Sequence, residues 1–131
     1  DDLGLASAIE WYCEEFEKRS CIKCRTGLEE TQLKDPHKNL TMFRILQEAL
    51  TNVIRHANAT TVKVKLRRLG KHMNLEIKDD GIGTGQIKID SKESLGFIGM
   101  RERTKQFNGR FEILSERKKG TTVRISLPIH S

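Results

Sequence analysis

Two runs of strict alternation, TVKVKLRRL from Thr61 and HMNLEIKD from His72, limit what this chain can fold into. Every second residue is apolar: Val62, Val64 and Leu66 in the first run, Met73, Leu75 and Ile77 in the second. Successive strand side chains point to opposite faces, so each run has one face to bury and one to wet. Gly70 sits near the turn between them, which makes the runs an antiparallel pair. Their dry face needs a cover, and helical spacing elsewhere supplies one. Leu5, Ile9, Tyr12 and Phe16 recur at helix period. A second helix starts with Asp35 as cap and Pro36 in the first turn. Its stripe is Phe43, Leu46, Leu50 and Val53, with Leu40 before and Ala57 after, and HANAT ends it.

The remaining segments are shorter. A strand is predicted around Cys21 to Arg25, followed by a polar connection through Gly27. An irregular Gly-rich stretch runs from Gly81 to about Leu95, and GFIGMRERTKQF forms a short helix after it. NGRFEILSERKKGTTVRISLP reads as a hairpin, with Phe111 and Ile113 on one strand, Val123, Ile125 and Leu127 on the other, and Pro128 at its end. The fold class expected is α/β: a two-layer sandwich of a mixed, mostly antiparallel sheet with helices on one face.

The chain has 131 residues, enough for one domain with a real core. No apolar run approaches the roughly 20 residues of a membrane span. The opening DDLGLASAIEWY lacks the basic and apolar regions of a secretory leader. Because it starts at Asp1, the sequence is read as a piece of a longer protein. A net charge of +6 attracts phosphates of any kind. The basic runs KVKLRR and SERKKG read as solvated strand faces and turns, and with aromatics at 5% there is no interleaving of the kind that stacks bases. No nucleic-acid partner is expected. Cys13, Cys21 and Cys24 make an odd count, which suits a reducing compartment. Cys21 and Cys24 form a C-x-x-C without the second pair a zinc site needs, so the thiols are read as half-buried packing.

Two stretches carry chemistry. In RILQEALTNVIRHA, residues 44 to 57, Glu48 and Asn52 are four apart and Arg55 lies three further on, off the apolar stripe. A carboxylate beside an amide oxygen can ligate magnesium, which takes one or two protein oxygens and fills its shell with water and phosphates. In EIKDDGIGTG a strand runs into Asp79, then Gly81, Gly83 and Gly85. Glycines let a backbone approach a ligand closely. This is neither the dinucleotide fingerprint nor a Walker loop nor an EF-hand. A buried carboxylate at a strand end accepts from an exocyclic amine, which selects adenine over guanine.

Taken together, the E-x-x-x-N helix, DDGIG at a strand end, LGFIGMRERTKQFNGRFEI and GTTVRISLP closely resemble the catalytic ATP-binding domain of two-component sensor histidine kinases. The resemblance implies the GHKL ATP-binding fold, and the motifs are similar to those of the nitrate-sensor-like subfamily in particular. DDLGLASAIEWYCEEF, within residues 1–18, resembles the segment joining the dimerisation helices to that domain. The resemblance implies Mg2+ and ATP as cofactors. Asn52 would hold magnesium, with Glu48 beside the metal or polarising a water. Arg55 and His56 would line the phosphates and ribose. Asp79 would take the adenine amine, and Gly81 and Gly83 would give the base room. Gly96 and Phe97 would offer backbone N–H groups to the phosphates at a helix start, and Thr121 would support Asp79 through a water. None of His37, His56, His72 and His130 sits in the context of the family's phosphorylated histidine. The phosphoacceptor is therefore expected on an upstream dimerisation domain, with a response regulator receiving the phosphoryl group. The resemblance also implies a cytoplasmic location, with any membrane contact made by regions outside this sequence. Ser94 and Phe97 depart from the family's Gly-x-Gly-Leu, which bears on the path of a short lid expected to move without nucleotide. A serine kinase or an ATPase of the same superfamily is the alternative. A basic nucleic-acid-binding module is the distant one.

Overall fold

The computed structural model describes residues 4–29, 33–82 and 92–130, without the side chains of 56–57 and 92–96. The elements are α1 (Gly4–Ser20), β1 (Lys23–Leu28), α2 (Pro36–Asn52), β2 (Thr61–Leu69), β3 (His72–Asp79), α3 (Lys92–Gln106), β4 (Arg110–Glu116) and β5 (Gly120–Pro128). A π-helical turn, Val53–Ala57, extends α2. The strands form one sheet in the order β1-β2-β3-β5-β4, with β1 and β2 parallel and every other pair antiparallel. The expected sandwich with a mixed sheet is what the chain forms.

The alternating runs make the two central strands. Val62, Val64 and Leu66 lie abreast of Asp79, Ile77 and Leu75 and are all buried. Val123, Ile125 and Leu127 of β5 continue the dry face. α2 covers it with Met42, Ile45, Leu46, Ala49 and Leu50, and the π-helical turn adds Val53. This stripe is broader than the four residues expected and turned away from Phe43. A helix lying flat on a sheet buries the i, i+3, i+4, i+7, i+8 set, and here that set starts at Met42. Phe43 is half-buried, with Tyr12 of α1 edge-on to it at 5.5 Å. Leu40 is on the far side and stays 46% exposed. α1 buries Leu5, Ile9, Cys13 and Phe16 against the same core, so it is part of the body of the domain.

Two boundaries differ from the expectation. β1 starts at Lys23 and continues through Gly27 to Leu28, because its parallel pairing with β2 satisfies the backbone where local propensity would end it. α3 starts at Lys92, so residues expected in the irregular stretch are helical, as Lys, Glu and Leu favour. Asp35 caps α2 by accepting from the His37 N–H at 2.8 Å. One turn in, the buried Lys38 donates from Nζ to the Pro128 carbonyl at 2.8 Å.

Candidate nucleotide site

That lysine contact fixes the direction of α2 on the sheet. Pro128 is abreast of His72, at the end of β3 opposite Asp79. From Lys38 to Asn52 the helix rises about 21 Å, and from His72 to Asp79 the strand spans about 23 Å. The C-terminal turns of α2, with Glu48 and Asn52, are thereby carried toward the Asp79 end. A second tie holds them there. The chain leaves the π-helical turn at Asn58, which takes a left-handed conformation, and reaches Thr60. Asp80 then clamps that segment. Its Oδ1 accepts from the N–H groups of Thr60 and Thr61 at 2.8 and 2.9 Å, and its Oδ2 accepts from the Thr60 hydroxyl at 2.6 Å. These bonds hold the Asp80 carboxyl below the ordinary carboxylate range.

Asp79 is built differently. It closes β3 on the covered face of the sheet and is 5% exposed. Its Oδ1 accepts from the Gly81 N–H at 2.8 Å and from the Thr121 N–H at 3.3 Å. The first bond is an Asx-type turn that starts the glycine-rich loop. Among the described residues Oδ2 has no hydrogen-bond partner, and no buried side-chain oxygen or nitrogen is left unpaired. Oδ2 therefore faces accessible space. Burial raises the Asp79 pKa, the two N–H bonds pull it back in part, and the neighbouring Asp80 charge adds to the rise. One oxygen is fixed by backbone and the other is free to accept from a ligand.

Gly120 makes this possible, and its role was not read from the sequence. It adopts φ +87°, and a Cβ there would lie 2.0 Å from the Asp79 carbonyl oxygen. β5 can start against the end of β3 only if this residue has no side chain. The turn before it also holds the loop, since the Lys118 N–H donates to the Ile82 carbonyl at 2.6 Å. The signal was present as a glycine after two lysines at a hairpin turn, but its neighbour across the sheet was not visible.

The other expected site residues are distributed as follows. Glu48 and Asn52 are half-buried, one turn apart at the end of α2. Gly81 is buried beside Asp79. Arg55 lies in the π-helical turn and is exposed. The wider i→i+5 turn rotates it off the line that α-helical spacing gave it, and such turns recur at functional sites. Gly96 and Phe97 lie in the second turn of α3, so their N–H groups are inside the helix and not at its start. Phe97 is 6% exposed and its ring tilts against Phe111 at 5.8 Å between centroids, a core contact. Thr121 reaches Asp79 by its backbone, while its hydroxyl bonds that of Ser115 at 2.8 Å. Gly83, the expected lid and the side chains of His56 and Ser94 lie outside the described residues.

No cluster of three or more metal-binding side chains occurs among the described residues. Magnesium held mainly by phosphates and water does not need one, and two oxygen donors one helical turn apart suit it.

The profile of the histidine kinase-, DNA gyrase B- and HSP90-like ATPases matches residues 37–131. The signal transduction histidine-protein kinase/phosphatase DegS of Brevibacillus brevis is 35% identical over 98% of this chain, which covers 33% of DegS. The oxygen sensor histidine kinase NreB of Staphylococcus carnosus is 32% identical over 98% of this chain and 38% of its own length. Among solved structures, the histidine kinase domain of the blue-light activated kinase of Erythrobacter litoralis superposes with a TM-score of 0.79 at 17% identity, over 96% of this chain and 61% of that one. The mycobacterial sensor histidine kinase MprB gives 0.71 at 18% identity, over 93% and 92%. The class is thus an ATP-binding α/β sandwich. The chain belongs to the histidine kinase-, DNA gyrase B- and HSP90-like ATPase family, and the curated relatives it matches are sensor histidine kinases. It spans about a third of their length.

Proposed function

We propose that this domain binds Mg-ATP and donates the γ-phosphoryl group to a histidine on a dimerisation domain of the longer protein, for relay to a response regulator. The observation that carries this is the Asp79 carboxylate, with Oδ1 fixed by two N–H groups and Oδ2 left to accept. An adenine amine donates to such an oxygen, whereas guanine presents a carbonyl at that position and is repelled. Gly81 keeps the approach clear. Asn52 and Glu48 hold magnesium, which neutralises phosphate charge when bound with the nucleotide. Glu48 beside the metal also polarises a water, and the family resemblance assigns Arg55 and His56 to the phosphates and ribose. In the described conformation Phe97 acts by seating α3, and Thr121 and Gly120 hold Asp79 in place. Residues 1–18 join the domain to the dimerisation helices, with α1 docked on the core so that their motion reaches the site.

The test uses the longer protein with labelled ATP and magnesium. Acid-labile, base-stable label on the protein is expected. Glu48→Gln should lower its rate by about 100-fold or more while ATP still binds. Acid-stable label on a hydroxyl would replace this reading with the serine-kinase one, and release of phosphate without protein label would replace it with an ATPase.

A further inference from the structure

The uncovered face of the sheet is the other chemically marked surface. Strand register puts Arg25, Lys63 and Lys78 directly abreast on β1, β2 and β3. Lys23, Lys65 and Arg67 point to the same side, and all six are exposed. None of the six has an ion pair among the described residues. Glu76 is the lone carboxylate within this array, and Arg124 of β5 takes it at 2.7 Å. Counting Arg110 and Arg124 with Glu112 and Glu116 on β4 and β5, the strands present eight cations and three carboxylates to this side. That is a net of +5, against +6 for the whole chain. Like charges directly opposite destabilise a sheet, so an array this one-sided is unfavourable unless it meets an anion.

We propose that this face docks on an anionic phospholipid surface. Three features select that occupant. The array is broad, about 10 Å across three strands and about 13 Å along β2. Four of its six cations are lysines, mobile point charges suited to diffuse attraction and not to forked recognition. The strand positions on this side carry no Phe, Tyr or Trp, and of the exposed leucines Leu69 borders the array beyond Arg67 while Leu114 lies on β4, so neither is at its centre. A protein partner wants an apolar anchor at its centre and single-stranded nucleic acid wants stacking rings, whereas a charged lipid surface asks for charge alone. Asp79 points to the opposite, covered face, so a docked domain keeps its nucleotide side open. Such docking adds a membrane contact made by this domain itself, and it holds whether or not the proposed kinase reading does.

The test is co-sedimentation of the domain with vesicles of mixed phosphatidylglycerol and phosphatidylcholine, against phosphatidylcholine alone. Binding to the anionic vesicles only is expected, lost at about 0.5 M salt. Each cation removed weakens it about fivefold, so the triple variant Lys63→Gln/Lys65→Gln/Lys78→Gln falls on the order of 100-fold. Exposed positions keep the variant folded, which its thermal midpoint checks. Lys18→Gln/Arg19→Gln/Lys105→Gln removes equal charge from α1 and α3 and should keep most of the binding. Absence of binding to anionic vesicles overturns the proposal. So does an equal loss in both triple variants, or displacement from the vesicles by duplex DNA at matched charge concentration.

Discussion

Gly120→Ala attacks the joint between the sheet and the site without replacing any residue that contacts ligand. The added methyl would stand 2.0 Å from the Asp79 carbonyl oxygen, 2.9 Å from its carbon and 3.1 Å from Oδ1. Backbone cannot rotate aside as a side-chain tip can, so β5 must shift away from β3. Overpacking of this kind costs about 1–3 kcal/mol. The left-handed φ of +87° adds about 1–2 kcal/mol for a residue with a Cβ. Together these give about 3 kcal/mol, or a drop of roughly 10 °C in thermal midpoint for a domain this size. The same shift lengthens the Thr121 N–H bond to Asp79, already 3.3 Å, and frees the carboxylate to turn. Thermal unfolding followed by circular dichroism gives the first number, and ATP titration of the folded variant at low temperature gives the second. A midpoint within about 2 °C of wild type, or unchanged ATP affinity, would refute the claim that Gly120 seats Asp79.

Three further outcomes follow from the site's electrostatics and thiols. Asp80→Ala removes three hydrogen bonds from Thr60 and Thr61, yet the side chain is exposed and screened, so urea denaturation should show a loss of only about 1 kcal/mol. Because the folded pKa of Asp80 is lowered, that contribution is present at neutral pH and disappears as pH falls through the folded value. Asp79 runs the other way: its folded pKa is raised, so the folded state gains protons first and is favoured as pH drops through the window above 3.8, while ATP affinity is lost there because the protonated acid no longer only accepts; titrations at stepped pH should show the two trends opposed. In timed alkylation of the native domain, Cys21 and Cys24 should react well before Cys13, which is buried and keeps its proton by donating it to Cys24; Cys13 reacting first would contradict that arrangement.

What could be read from the sequence was periodic or local. Alternation gave β2, β3 and β5 with their faces, because a half-buried strand allows one pattern. The cap at Asp35 and Pro36 is a three-residue event and also appeared as expected. What escaped depends on contacts distant in the chain. α2 buries Met42 and Ile45 and turns Phe43 to Tyr12, a choice made by the sheet beneath and by α1, not by the helix. β1 passes through Gly27 because β2 supplies its partners. The π-helical turn that displaces Arg55 has no signature at the spacing used to place it. In the site, Asp79 and Gly81 were legible because strand, carboxylate and glycine are consecutive, whereas Gly120 was not, since its constraint lies 41 positions away across β3 and β5. The helical placement of Phe97 followed from where α3 begins, which the glycines nearby obscured.

The central claim is that the Asp79 carboxylate reads adenine. Calorimetry of ATP and of GTP with magnesium, on the wild-type domain and on Asp79→Asn, tests it most directly. The amide can keep the acceptor that Gly81 and Thr121 hold, so the variant should fold with an unchanged or higher thermal midpoint. It would place an NH2 where the adenine amine donates. The account predicts ATP binding that GTP does not match, weakened at least about 100-fold in the variant. ATP bound equally well by folded Asp79→Asn would contradict it.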